Sequence, residues 1–192
     1  MFRMWSRELT LAFTLAAGAV FLARTLVVPA PPVDLTTFHA GAAAWLHGDN
    51  PYRFEDLVSW SRALGGSGGR RHDPALLMSI YPPSAYLILA PLAAVSGAHI
   101  RLAFYLANSL LMVAIFAGSV ALMRQVGLRL SISQRLLLAA LLLLWGPIHT
   151  AIRTGQISVL LIALLLWGVL WQLRRQWFLA GVALGIASAL MP

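Results

Sequence analysis

The sequence predicts an all-α, polytopic transmembrane protein. Hydrophobic residues make up 60% of the chain, charged residues make up 10%, and the mean hydropathy is +0.80. Such a composition is typical of an integral membrane protein rather than a soluble domain. Five of the six carboxylates lie close together in the sequence, at Asp34, Asp49, Glu55, Asp56 and Asp73. An unpaired charge in hydrocarbon is costly, so this polar window is expected to face water.

Several functional classes are excluded by what the chain lacks. It contains no cysteine, so disulfides and thiolate metal sites are ruled out, and its five histidines show no metal-binding spacing. Phosphate-binding and dinucleotide-binding glycine patterns are absent, so we predict no cofactor, while the need for a divalent ion stays open. All basic residues are arginines that punctuate apolar segments, which indicates membrane orientation and no nucleic-acid partner.

The first apolar run, 9–29, follows Arg3 and Arg7. Ala17-Gly18-Ala19 resembles a signal-cleavage site, but the run continues to Val28. That gives about twenty residues, enough to cross a bilayer. We therefore predict an uncleaved first span with a cytoplasmic N-terminus.

The arginines decide how the later runs are arranged. These apolar runs are 82–97, 102–123, 136–152, 157–173 and 177–192. If 82–97 crossed the membrane, the loop with Arg124, Arg129 and Arg135 and the Arg174-Arg175 turn would face outside, against the positive-inside bias. The segment 82–97 is also short and opens on two prolines, so we expect it to be interfacial or re-entrant. The prediction is a single transmembrane domain with a first span at 1–29, an external loop at 30–100 and further spans at 101–192, about five spans in all.

Within the external loop, the sequence predicts a helix followed by a turn. The apolar residues that recur at helical spacing are Leu35, Phe38, Ala42, Trp45 and Leu46. Asp34 precedes this helix and Gly48 follows it, and we expect the helix to lie along the membrane surface. A short amphipathic stretch at 52–64 and a flexible glycine linker at 65–69 come next.

Asp34 is the first carboxylate after the first span. It fits a helix N-cap, and it also fits a general base that takes a proton from an attacking hydroxyl. The two roles are compatible, because a capping position holds a carboxylate rigidly.

A second polar group interrupts the apolar runs at Arg153, Gly155 and Gln156, with His149 one turn earlier. This stretch is either an ordinary short turn or a phosphate and sugar contact, for which a guanidinium and an amide are suited. Arg70 and Arg71 follow the glycine linker and are either a solvated loop or an anion-binding pair. Tyr81, before two prolines, begins the interfacial segment.

Four pieces of the sequence together resemble glycosyltransferase family 87. The first piece is Asp34 followed by Phe38, Ala42-Ala43, Leu46, Gly48 and Asn50-Pro51-Tyr52. The others are Tyr81-Pro82-Pro83 with Pro91-Leu92, then Gly155-Gln156-Ile157-Ser158 between Pro147 and Leu161, and last Ala180-Gly181-Val182 with Leu184-Gly185. The chain resembles about the first half of a family member, and it ends inside an apolar run, so we expect a longer protein and an inactive isolated segment.

The resemblance implies a GT-C-type membrane fold and an inverting hexosyltransferase. It implies a polyprenyl-phosphate-linked, mannose-like sugar as donor and a hydroxyl of a glycolipid or glycan as acceptor, at the external face of a bacterial inner membrane. It implies that Asp34 is the catalytic base, and we expect substrate contacts from Arg153, Gln156, Tyr81, Arg70, Arg71 and His149. Two positions depart from the family pattern: Met191 replaces a frequent lysine, and Ser158 replaces an asparagine. A transporter or lipid flippase, or a non-catalytic membrane assembly subunit, are the alternatives.

Overall fold

The computed structural model describes residues 6–26, 33–64 and 81–191, and within those ranges it is helical with no strand. The all-α prediction is thus confirmed. The described residues form nine α-helices: α1 (Arg7–Leu26), α2 (Val33–Leu46), α3 (Phe54–Ala63), α4 (Pro83–Leu89), α5 (Gly97–Gln125), α6 (Ile132–Leu144), α7 (Gly146–Thr154), α8 (Ser158–Leu173) and α9 (Trp177–Leu190), with a 3-10 helix at Ala90–Ala94.

Among the helices that the structure describes, two are long and apolar enough to cross a membrane, within Arg7–Thr25 of α1 and His99–Gln125 of α5. Helices α6 and α7 qualify only as a pair, because the chain bends by 46° between them. Pro147 lies at this bend, where a proline cannot continue the hydrogen-bond ladder of the preceding helix. Helices α8 and α9 are apolar but have only 16 and 14 residues. The described residues therefore contain two or three candidate spans, and the expected five are not confirmed.

Contacts between side chains show how the long helices are oriented relative to one another. The Thr14 hydroxyl donates to the Leu136 carbonyl at 3.0 Å, and the Phe21 ring lies 5.1 Å from that of His149, so α1 runs alongside α6 and α7 in the same direction. The Trp167 indole donates to the Ala114 carbonyl at 3.0 Å, where α5 and α8 run together. Gln156, at the start of α8, and Arg174, just after it, consequently lie at opposite ends of the bundle. We call the end with Gln156 the carboxylate end, because the Asp34 carboxylate also lies there, and the end with Arg174 the arginine end.

Two apolar clusters hold the helices together. One joins α1, α5, α7 and α8 through Phe21, Ile115, Ile148, Ile152 and Val159. The other joins α2, α4 and α9 through Phe38, Ala85, Leu89 and Leu190. Helices α8 and α9 pack closely because Gly168 has no side chain; a Cβ there would lie 2.9 Å from Leu184 Cδ2.

Helix α2 has the expected extent but not the expected setting. It ends near Gly48, whose φ of 82° lies in the left-handed region that glycine tolerates, and the Asp49 amide closes the end by donating to the Ala44 carbonyl at 2.9 Å. Most of α2 is buried, including Leu35 and Phe38, because its small residues let α3, α4, α7 and the 3-10 helix approach it. It is therefore enclosed by protein rather than lying along a membrane surface.

The segment 82–97 forms α4 and the 3-10 helix, and then leads into α5. Its twelve helical residues, Pro83–Ala94, are too short to span a membrane, as the arginine pattern predicts. The His39 imidazole lies 2.9 Å from the Val95 carbonyl and so ties the end of this segment to α2. Burial lowers the pKa of His39, so the imidazole is neutral at physiological pH.

Candidate active site

Asp34 lies in the first turn of α2, one residue inside the helix rather than at its N-cap. Its half-buried carboxylate accepts hydrogen bonds from the side chains of Gln156 and Thr154. Two candidates predicted from distant parts of the sequence, Asp34 and Gln156, are thus in direct contact. Asp34 also lies at the positive end of the α2 dipole, which favours a negative charge there.

The turn between α7 and α8 presents both hydrogen-bond donors. Helix α7 ends at Gly155, whose φ of 83° is left-handed, and the Gln156 amide N–H then donates to the Ala151 carbonyl at 2.8 Å. This tight end places Thr154 and Gln156 on either side of the glycine. The glycine of the sequence signature is therefore required by the backbone, since a residue with a Cβ would be strained at this φ.

Ser158 sets the orientation of the Gln156 side chain. Its hydroxyl donates to Gln156 Oε1 at 3.4 Å. An ionised carboxylate only accepts hydrogen bonds, so the Gln156 NH₂ group is the one that faces Asp34. Ser158, which stands where the family pattern has an asparagine, supports the orientation of the amide that holds the carboxylate.

The Thr154 hydroxyl has one hydrogen and more than one acceptor close to it. It lies 2.9 Å from the Thr150 carbonyl in the preceding turn of α7, and it also reaches Asp34. It cannot donate fully to both at once. Gln156 is therefore the steadier partner of Asp34, and Thr154 is a residue of the site that the sequence patterns did not single out.

Tyr81 lies near the Asp34 carboxylate. Its ring packs on Phe38 with 4.2 Å between the centroids. Burial, and then the negative charge of Asp34, raise the pKa of the Tyr81 hydroxyl, so this group stays protonated. The Tyr52 hydroxyl donates to the Tyr81 carbonyl at 2.7 Å, which links the Asn50-Pro51-Tyr52 motif to the Tyr81-Pro82-Pro83 motif.

The chemistry available at Asp34 is that of a proton acceptor. Burial raises the pKa of its carboxyl, while the hydrogen bonds from Gln156 and Thr154 act in the opposite direction. The result is a carboxylate more basic than a fully exposed aspartate, held by two donors. Among the described residues, no three histidine, aspartate or glutamate side chains are grouped closely enough to hold a metal ion.

The remaining candidates are placed differently. Arg153 is exposed in the last turn of α7, next to Thr154. His149 is buried in the core, where its Nε2 lies 2.6 Å from the Leu143 carbonyl and its ring packs on Phe21, so it is not at the surface of the site. Arg70 and Arg71 lie outside the described residues.

A model of glycosyltransferase family 87 matches residues 80–191. The chain belongs to glycosyltransferase family 87. The match covers more than half of the chain and includes Tyr81, Thr154 and Gln156, and it confirms the family that the sequence motifs resemble. No curated protein and no solved structure matches the chain.

Together with its apolar helices, membership of family 87 makes the protein an integral membrane protein of a glycosyltransferase family. Asp34 itself precedes the matched residues. Its hydrogen bonds with Gln156 and Thr154, and the effect of its charge on Tyr81, join the N-terminal segment to the matched region at one site.

Proposed function

We propose that the protein transfers a hexose, mannose-like in kind, from a polyprenyl-phosphate-linked donor to an acceptor hydroxyl, with Asp34 as the general base. The observation that supports this most directly is the contact of Asp34 with Gln156 and Thr154. A general base needs a fixed position and a pKa closer to neutrality than that of an exposed aspartate. Both conditions hold at Asp34.

In the proposed reaction the acceptor oxygen attacks the anomeric carbon, and its proton passes to the Asp34 carboxylate. The bond between the anomeric carbon and the phosphate oxygen breaks, and the polyprenyl phosphate leaves with the electron pair. Attack on the face opposite the leaving group inverts the anomeric configuration.

Gln156 has two amide N–H groups, and one of them is engaged with Asp34. The other is available for a sugar hydroxyl or a phosphate oxygen of the donor. Exposed Arg153 lies in the terminal turn of α7, three residues before Gln156. Its guanidinium suits the phosphate of the donor, because neutralising the charge that develops on the leaving group lowers the barrier. With Met191 in place of the family's lysine, Arg153 takes this role in the proposal.

We place the carboxylate end on the external face of a bacterial inner membrane and the N-terminus in the cytoplasm. The support is the arginines around the turns after α5 and α8: Arg124, Arg135 and Arg174 lie at the same end as Arg7, and arginines in short loops favour the cytoplasmic side. Arg24, Arg101 and Arg153 lie at the opposite end. The acceptor would then be a glycolipid or glycan hydroxyl on the external side.

The test uses membranes that contain the complete gene product and a radiolabelled polyprenyl-phosphate mannose. We expect donor-dependent transfer, and we expect Asp34→Asn to reduce the rate by about 10²- to 10⁴-fold, the usual contribution of a general base. The matched control is Glu55→Gln, which neutralises an exposed carboxylate on α3 and should leave the rate unchanged. Undiminished transfer by Asp34→Asn would refute the role of Asp34.

Asp34→Asn should not unfold the protein. Burial raises the pKa of the folded-state carboxyl above its unfolded value, so ionised Asp34 lowers stability as pH rises through that interval. Asparagine removes this penalty and still accepts a hydrogen bond from Gln156. Loss of transfer with unchanged thermal unfolding would therefore be a loss of chemistry.

A second candidate is a transporter, for which the bend between α6 and α7 is the relevant observation, since broken helices often form transport sites. The same assay separates the two. A transporter would show no donor-dependent transfer, and Asp34→Asn would change uptake instead.

A further inference from the structure

The arginine end contains two adjoining cavities. One, of about 390 Å³, lies between α5 and α6 and includes Arg124, Arg135 and Arg174 among its lining residues. The other, of about 570 Å³, is lined by Arg124, Arg129, Arg135 and Gly127. Arg124 and Arg135 border both cavities, so four guanidinium groups, from α5, the α5–α6 turn, α6 and the residue after α8, lie around two neighbouring spaces.

The charge around these two spaces is unbalanced. No carboxylate lines either cavity, and the sequence has no acidic residue after Asp73. Glu8, in the first turn of α1, lies toward the same end but is not among the lining residues. Guanidinium groups do not lose their protons in proteins, so these positive charges repel one another until an anion enters.

Arg135 is already held in place. Its Nε donates to the Leu130 carbonyl at 3.1 Å, which uses one of its five N–H groups and fixes the plane of the guanidinium. The terminal N–H groups form a planar fork of the kind that binds phosphate oxygens.

The smaller cavity also has an apolar wall. On α5 this wall extends from Val113 to Val120 and then reaches Arg124. At 1.5 Å of rise per residue, Val113 lies about 16 Å along the helix from Arg124. Val113 is 66% exposed, so the wall opens toward the surrounding lipid. A free inorganic anion would use only the arginines, whereas a lipid would use the apolar wall as well.

We infer that the arginine end binds one anionic phospholipid of the adjacent leaflet, with its phosphate between Arg124, Arg135 and Arg174 and an acyl chain along the α5 wall. This site is separate from Asp34, because the 16 residues of α8 place about 24 Å between the two ends. The inference does not depend on the proposed transfer reaction.

The test measures lipid retained by the purified complete protein in mixed micelles, using phosphatidylglycerol against phosphatidylcholine. We expect phosphatidylglycerol to be retained preferentially, and less so as salt increases. Each basic residue near a membrane surface contributes about fivefold to anionic lipid binding, so the double variant Arg124→Gln with Arg135→Gln should bind roughly 30-fold more weakly. The control is Arg101→Gln, an exposed arginine on the same helix at the carboxylate end, which should stay within about twofold of the parent.

A second variant separates a lipid from a free anion. Val120→Trp keeps every arginine and fills the apolar wall, so it should weaken phosphatidylglycerol binding, and soluble glycerol phosphate at equal concentration should not displace the lipid. Equal retention of both lipids, unchanged binding by either variant, or displacement by glycerol phosphate would each overturn the inference. Thermal unfolding that matches the parent shows that the variants are folded. If the double variant unfolds, Arg174→Gln replaces it, because it removes one guanidinium of the proposed site, leaves the Arg135 hydrogen bond intact, and should weaken binding about fivefold.

Discussion

The Gln156 side-chain amide donates a hydrogen bond to the Asp34 carboxylate. This contact joins the first turn of α2, which precedes the residues that define the family, to the turn between α7 and α8, which lies within them. Tyr81, two residues before α4, lies near enough for the charge of the same carboxylate to raise the pKa of its hydroxyl. The site is therefore assembled from three separate segments, and each offers a different way to test it.

The sidedness of the bundle is testable because the chain contains no cysteine. Glu55→Cys on α3 should react with a membrane-impermeant maleimide from the external side, and Leu128→Cys in the α5–α6 turn from the cytoplasmic side. Both positions are exposed. Labelling of intact and of lysed cells distinguishes the two sides, and the parent protein without cysteine is the blank. Labelling of both positions from the same side would contradict the opposed ends of the bundle.

Gly41 should not tolerate a side chain. A Cβ at this position would lie 2.9 Å from Tyr86 Cζ and 3.0 Å from its hydroxyl, and Tyr86 is fully buried. Gly41→Ala should therefore lower the free energy of unfolding by about 1–3 kcal/mol, the usual cost of overpacking, as measured by denaturation in mixed micelles. Gly18→Ala on α1 is the control, since nothing lies within 4 Å of a Cβ there. If the two variants are equally stable, α2 and α4 do not approach each other as closely as the structure shows.

Tyr52→Phe removes only the hydroxyl that donates to the Tyr81 carbonyl at 2.7 Å. Because Tyr52 is partly exposed, we expect a loss of about 0.5–1 kcal/mol in the free energy of unfolding. The link between the two aromatic motifs should loosen, and transfer should fall in parallel. Tyr105→Phe on α5 serves as the matched control and should change neither quantity. A Tyr52→Phe protein that matches the parent in both would show that the link is not needed.

Arg175 has a φ of 60°, the one left-handed non-glycine residue in the described part of the chain. It occupies the turn after α8, a position where glycine is usual because a Cβ is disfavoured there. Arg175→Gly should raise the free energy of unfolding by up to about 1 kcal/mol. Arg174→Gly is the control and should lower it, because Arg174 has an ordinary φ of −85° and glycine there only adds backbone entropy to the unfolded chain. A lower free energy of unfolding for Arg175→Gly than for Arg174→Gly would contradict the left-handed backbone conformation of Arg175.

Much of this arrangement could be predicted from local sequence signals. Asp34, the glycine at the end of α2 and the turn at Gly155-Gln156 are all marked by residue types whose backbone or polar chemistry is specific. The short segment 82–97 could be recognised from its prolines and from the arginines around it. These signals are local, or depend on charge alone, and do not require the packing to be known.

Other features depend on packing and could not be predicted. Nothing in the spacing of Leu35 and Phe38 shows that α2 is enclosed on most sides, because that depends on which helices approach its alanines and glycines. The contact of Thr154 with Asp34 requires the α7–α8 turn to face α2. The expected five spans are not confirmed, since an apolar run gives a length but not the bend between α6 and α7.

The central claim is that Asp34, held by Gln156, accepts the proton during transfer, and the most direct measurement is the pH dependence of the transfer rate in the parent and in Gln156→Ala. Asp34 must be ionised to act, so the rate should rise with pH through its pKa. The hydrogen bond from Gln156 lowers the pKa of Asp34. Removing it should move the acidic limb to higher pH, while Gln172→Ala, on the exposed part of α8, should leave the limb in place. An acidic limb that is identical in the parent and in Gln156→Ala would contradict the claim.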